Sequence, residues 1–127
     1  MLGTIYSEHE QLLHQIFQIE KNIRFGAICN KFGEITAKLL RDGITLHLNE
    51  YETSKLLREA TGSWHYRHQL SYKLGKGQFA LAVYDKLIRL TIPLDQENLM
   101  LLTLESYDNI PKLVENVHKL IRNRNNS

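Results

Sequence analysis

The sequence predicts an α+β fold: a central antiparallel sheet of about five strands with helices packed on it, in the order αββαβββα. Three observations carry this prediction. Helical and alternating apolar spacings succeed one another in that order, glycine-bearing turns separate the extended stretches, and 127 residues suffice for one core but not for a second domain. The domain is therefore expected to be 1–127, with residues 1–6 and 122–127 frayed.

The first helix is expected to start at Ser7, because Ser7-Glu8-His9-Glu10 has the form of a capping box. Leu12, Leu13, Ile16, Phe17 and Ile19 then follow at helical spacing to about Lys21. From Ile23 the period becomes two. Ile23, Phe25, Ala27 and Cys29 alternate with Arg24, Gly26 and Ile28, which reads as a strand, and Asn30-Lys31-Phe32-Gly33 supplies the left-handed backbone of a hairpin. A second strand runs from Glu34 to about Leu40. Arg41-Asp42-Gly43 is a further turn, leaving Ile44 to Leu48 as an extended connection or a short extra strand.

Asn49 and Glu52 repeat the capping-box spacing, so a second helix begins near Glu50 with Tyr51, Leu56, Leu57 and Ala60 at helical intervals. Its extent is ambiguous. Trp64, Tyr66, His68, Leu70, Tyr72 and Leu74 alternate with polar residues as in a strand, yet this stretch has no β-branched residue and Leu74-Gly75 suits a helix C-terminus. Leu56, Ala60, Trp64, Leu70 and Leu74 also share one helical arc. The preferred reading is a long helix, kinked or interrupted at Gly62.

Strands resume after Gly75-Lys76-Gly77. Phe79, Leu81 and Val83 alternate with Ala80, Ala82 and Tyr84, and Asp85-Lys86 turns the chain into Leu87 to Ile92, which Pro93 ends. Leu94 to Asn98 is a turn. Leu99 to Glu105 is almost continuously apolar, the pattern of a central strand covered on both faces. Asp108 and Asn109 can cap a last helix with Pro111 in its first turn, and Ile110, Leu113, Val114, Val117, Leu120 and Ile121 form its apolar face.

Composition narrows the function classes. A hydrophobic content of 43%, a charged content of 24% and a net charge of +2 describe a globular surface near electrical balance, so neither nucleic acid nor a membrane is the expected partner. With Cys29 as the one cysteine, no internal disulfide can form, and the segment from Met1 to Glu10 lacks the apolar centre of a signal peptide. No apolar run approaches the roughly 20 residues of a membrane span. A soluble, cytoplasmic protein is expected.

This order of elements resembles the Roadblock / dynein light-chain family, a branch of the profilin-like folds. The likeness rests on the hairpin Phe25 to Gly33, the run from Leu70 through Leu74-Gly75 into Phe79, the Pro93 to Asp95 turn, the apolar strand Leu99 to Leu104 and the Asn109-led final helix. The Arg41 to Leu48 connection and the basic, aromatic stretch from Trp64 to Lys76 depart from that pattern. The resemblance implies a single Roadblock-like domain that pairs with itself through its second helix and third strand. Here those elements carry Trp64, Tyr66, Phe79, Leu81 and Val83 as dimer-interface candidates. It further implies a non-enzymatic scaffold or regulatory adaptor that binds a protein partner, often a small GTPase, and requires no cofactor.

A rival expectation comes from charge. No Asp or Glu lies between Ala60 and Tyr84, whereas Arg67, Lys73 and Lys76 do, interleaved with His65, His68 and three aromatics. Arginine forks onto phosphate or carboxylate, so these three cations are candidates for an anion-sensing pocket; aromatics among cations also suit single-stranded nucleic acid. The plainer alternative is a helix with solvated cations and aromatic core anchors. On the helical arc Arg67 sits among apolar positions and would need a carboxylate, a second subunit or a ligand as partner. His65 and His68 alone do not make a zinc site. Gly75-Lys76 lacks the first glycine and the hydroxyl of a phosphate loop, and the pairs Asp95/Glu97 and Glu50/Glu52 fall in turns and caps. No catalytic or metal set is expected.

Overall fold

The computed structural model describes residues 2–106 and 108–125. The chain forms α1 (Leu2–Ile19), β1 (Ile23–Asn30), β2 (Ile35–Leu40), α2 (Glu50–Gln69), a single turn α3 (Ser71–Leu74), β3 (Ala80–Val83), β4 (Ile88–Pro93), β5 (Asn98–Leu104) and α4 (Ile110–Asn125). Five strands pair antiparallel throughout in the spatial order β2-β1-β5-β4-β3. The predicted α+β class and strand count match. β5 is central, as its unbroken apolar run demands, with Met100, Leu102 and Leu104 on one face and Leu99 and Leu101 on the other.

The two faces are covered unequally. On one, α1 and α4 lay Leu12, Leu13, Ile16, Phe17, Leu113 and Val117 against the inward residues of the sheet, making the larger core. Packing is tightest at Gly26, where a Cβ would stand 3.1 Å from side-chain carbons of Leu13, Phe17 and Leu102; the missing side chain lets α1 settle onto β1. On the other face α2 buries only Leu57, Ala60 and Trp64, over Cys29, Leu99 and Leu101.

Turn chemistry follows the sequence. Asn30 Oδ1 accepts from the amides of Phe32 and Glu34, and Gly33 takes φ +82 in the β1–β2 turn. The expected capping box is formed: Asn49 Oδ1 accepts from the Glu52 amide at 2.8 Å while Glu52 Oε1 accepts from the Asn49 amide at 3.0 Å. Arg41 closes α1 by donating to the carbonyls of Phe17 and Glu20, both at 3.0 Å, and to that of Ile23.

Several expectations need correction. Ser7 lies inside α1, which starts at Leu2, so it does not cap that helix. Ile19 is exposed, because it lies beyond the stripe that meets the sheet. The segment 44–48 is an irregular connection and forms no strand. Gly62 does not interrupt α2, which runs through it to Gln69; the break comes at Leu70, before α3 and the Gly75 cap at φ +86. Leu70 and Leu74 are exposed instead of completing the arc of Trp64, since α2 has left the sheet by then. Asn109 adopts a left-handed φ of +64 and accepts from the Leu113 amide through its carbonyl. Of the termini expected to fray, Met1, Asn126 and Ser127 lie outside the described residues; α1 begins at Leu2 and α4 extends to Asn125.

Candidate functional site

The exposed apolar side chains concentrate in one stretch of the chain. Eight of the fourteen large apolar side chains exposed among the described residues lie between Tyr66 and Tyr84. They follow α2, α3 and the connector to β3, then β3 itself. Exposed apolar side chains gathered on a surface are typical of contact sites, which makes this stretch the candidate site.

Trp64 anchors it from below. The indole is 3% exposed, and its Nε1 donates to the hydroxyl of Thr91 at 2.8 Å, which also satisfies the single buried polar side chain among the core residues. The Arg67 guanidinium lies over the ring at 4.8 Å from its centroid. Gly77 passes so near that a Cβ would stand 2.7 Å from Trp64 Cζ3, so the connector from α3 to β3 closes over the indole only because residue 77 has no side chain.

β3 forms the edge. It bonds to β4 alone among the described strands, and its four residues, Ala80-Leu81-Ala82-Val83, carry no charge and no proline. Edges of this kind are usually blunted by such residues or by pairing. Leu81 and Val83 stand opposite Leu90 and Ile88, on the α1/α4 side, yet Val83 is 61% exposed because the helical layer ends short of this edge. Tyr66 and Phe79 are also exposed, from α2 and from the approach to β3. Of the five interface candidates, Trp64 thus turns inward and four face solvent.

The three anion candidates do not converge. Arg67 is exposed and stacks on Trp64, so the buried guanidinium in need of a partner is not observed; the helical arc misplaced it by ignoring how much of α2 the sheet covers. It lines a cleft of about 170 Å³ with Glu59 and Arg89, and neither lysine reaches that cleft. Lys73 lies on α3 beside Tyr72. Lys76 lies in the connector near His118 of α4, whose pKa is pushed below its ordinary value by burial and by the charges of Arg122 and Lys76, against a hydrogen bond from the imidazole to the Gln78 backbone that raises it.

Other groups serve the fold. Among the described residues no cluster of three or more His, Cys, Asp or Glu could hold a metal. Burial pushes the Cys29 thiol up to about 11, which leaves it protonated and unreactive near neutral pH. His9 meets the Thr36 hydroxyl at 2.6 Å across α1 and β2, and its own burial lowers its pKa. No described helix is long and apolar enough to cross a membrane.

A second, larger cleft was not legible in the sequence. Where α2 stops covering the sheet, a cavity of about 480 Å³ opens between the 46–48 connection, the first turns of α2 and the Tyr84 to Leu87 hairpin, floored by Phe25, Arg89, Leu101 and Thr103. In the sequence Arg89 is merely the polar member of an alternating strand, a pattern that reads as solvent-facing.

No protein-family model matches this chain, and no curated protein matches it in sequence. Solved structures do resemble it. The gliding protein MglB of Thermus thermophilus superposes with a TM-score of 0.70 at 13% identity, over 91% of this chain and 84% of that one. An MglB with a tetrameric arrangement gives 0.71 at 12% identity, over 91% and 83%. A Roadblock/LC7 domain from Streptomyces avermitilis gives 0.68 at 8% identity, over 90% and 92%. At such identities the likeness speaks for architecture, and the architecture is Roadblock-like.

Proposed function

We propose that this protein is a non-enzymatic scaffold or regulatory adaptor that acts as a homodimer and binds a protein partner, with a small GTPase as the partner class to test first. One observation carries the self-pairing: an uncharged, unblunted edge strand lies in the stretch of chain richest in exposed apolar side chains among the described residues. In the proposed dimer, β3 of one copy pairs with β3 of the other, and Tyr66, Phe79, Leu81 and Val83 bury one another, with Trp64 holding α2 in place beneath. The MglB structure with a tetrameric arrangement supports self-association in this architecture. Two α2 helices side by side would then offer the composite face to the partner. The GTPase class comes from what Roadblock-like proteins commonly do.

Light scattering on the purified chain at high micromolar concentration tests the pairing. A dimeric mass is expected, falling to monomeric in Leu81→Asp and Val83→Asp with helical circular dichroism retained; a monomeric wild-type chain refutes the proposal. The dimer is then titrated with small GTPases in their GDP and GTP forms, and affinity that differs between the two forms is the expected sign of a regulatory adaptor.

A further inference from the structure

The cleft beside the N-terminal half of α2 lies outside the proposed pairing edge and has its own chemistry. Its floor is the uncovered end of the sheet, and walls rise on three sides from Leu46 and Leu48, from Leu56, and from Leu87. Leu46 and Leu48 stay exposed beside this apolar trough. Its volume, about 480 Å³, falls in the range of roughly 300–1,000 Å³ of small-molecule sites.

The charges around it are unbalanced. Arg24, Lys86 and Arg89 line the cleft with His47, against the single carboxylate of Asp85. Arg24 is already engaged, donating to Glu105 Oε1 at 3.0 Å and to the Thr45 carbonyl at 3.1 Å. Lys86 and Asp85 are neighbours at the exposed hairpin tip, where they offset each other. Arg89 remains. It is half-buried on β4, between Ala82 of β3 and Thr103 of β5, and makes no hydrogen bond or ion pair with any described residue. A half-desolvated guanidinium with its fork open favours a planar anion, which can take two parallel N–H bonds.

We propose that this cleft binds a small amphipathic carboxylate, its apolar body among the leucines and its head group on Arg89. One open cation calls for one negative charge, and dry walls call for an alkyl or aromatic body. The site is independent of the dimer reading, since none of the four solvent-facing pairing candidates lines it.

Dodecanoate, kept below its micelle concentration, is titrated into the full chain by calorimetry beside dodecanol, which lacks the charge, and acetate, which lacks the body. Expected is saturable binding of dodecanoate at one per chain, at least tenfold weaker dodecanol and no acetate binding. Arg89→Gln should weaken dodecanoate at least tenfold while leaving dodecanol unchanged. Should that variant fold poorly, Leu48→Asp, at an exposed wall position, should abolish binding of both. The proposal is overturned if dodecanoate does not bind, if dodecanol binds as tightly as dodecanoate, if Arg89→Gln or Leu48→Asp has no effect, or if dodecanoate lowers the mass of the dimer, which would make a second copy the natural occupant.

Discussion

The two faces of the sheet are built to different standards. Under α1 and α4 the sheet is sealed by two helices with well-formed apolar stripes, and a glycine lets one of them approach closely. Under α2 the seal is partial. Three side chains of a twenty-residue helix hold it, one end of the sheet is left bare, and the helix runs on past the edge with its apolar residues exposed. The larger core lies on the first face, while the proposed pairing edge and the proposed ligand cleft both border α2.

Truncation of the core should separate the faces most sharply. Leu102→Ala on the sealed face is expected to cost about 3–4 kcal/mol in denaturant unfolding, whereas Leu57→Ala under α2 should cost about 2 kcal/mol, because the thin layer can settle into the space. Equal costs would break the comparison. Cys29 probes how dry the thin face is. Its thiol titrates higher in the folded chain than its ordinary value of 9.0, so its stabilising effect is complete below pH 9 and is lost as pH rises toward about 11. The wild type should therefore lose up to roughly 3 kcal/mol more than Cys29→Ala across that window. Parallel pH curves for the two would mean that water reaches the thiol.

Trp64→Phe keeps most of the apolar anchor and removes the bond to Thr91. A loss of about 1–2 kcal/mol is expected, most of it recovered when Thr91→Val is added, since the orphaned hydroxyl is then gone. Failure of the second change to compensate would place the energy in ring shape. The smallest effect runs the other way. Gly62 sits mid-helix with open space where a Cβ would point, so Gly62→Ala should stabilise α2 by about 0.5–1 kcal/mol, read as a raised unfolding midpoint. A destabilised variant would show that the glycine serves some contact.

Local rules account for what was legible in advance. The Asn49 cap, the Asn30 and Gly33 turn, the strand-ending Pro93, the covered central strand β5 and the stripe of α4 each depend on neighbours a few residues away, so spacing alone reveals them. The stretch from Trp64 to Leu74 misled for the same reason. Its period of two is real in the sequence but records no strand face: Trp64 alone is buried, and the alternating residues after it lie on a helix that has run out of sheet. Arg67 was singled out on an ideal helical arc, while Arg89, a half-buried cation without a partner among the described residues, looked like an ordinary solvent-side residue of a strand.

By itself the sequence determined the kind and order of the elements, because capping, turn geometry and apolar period act over distances of a few residues. Tertiary structure decided which end of the sheet α2 covers, which strand is left at the edge and where the open cation faces a cleft. Those depend on how a helix of fixed length lies across five strands of fixed width, a matter of packing between segments far apart in the chain.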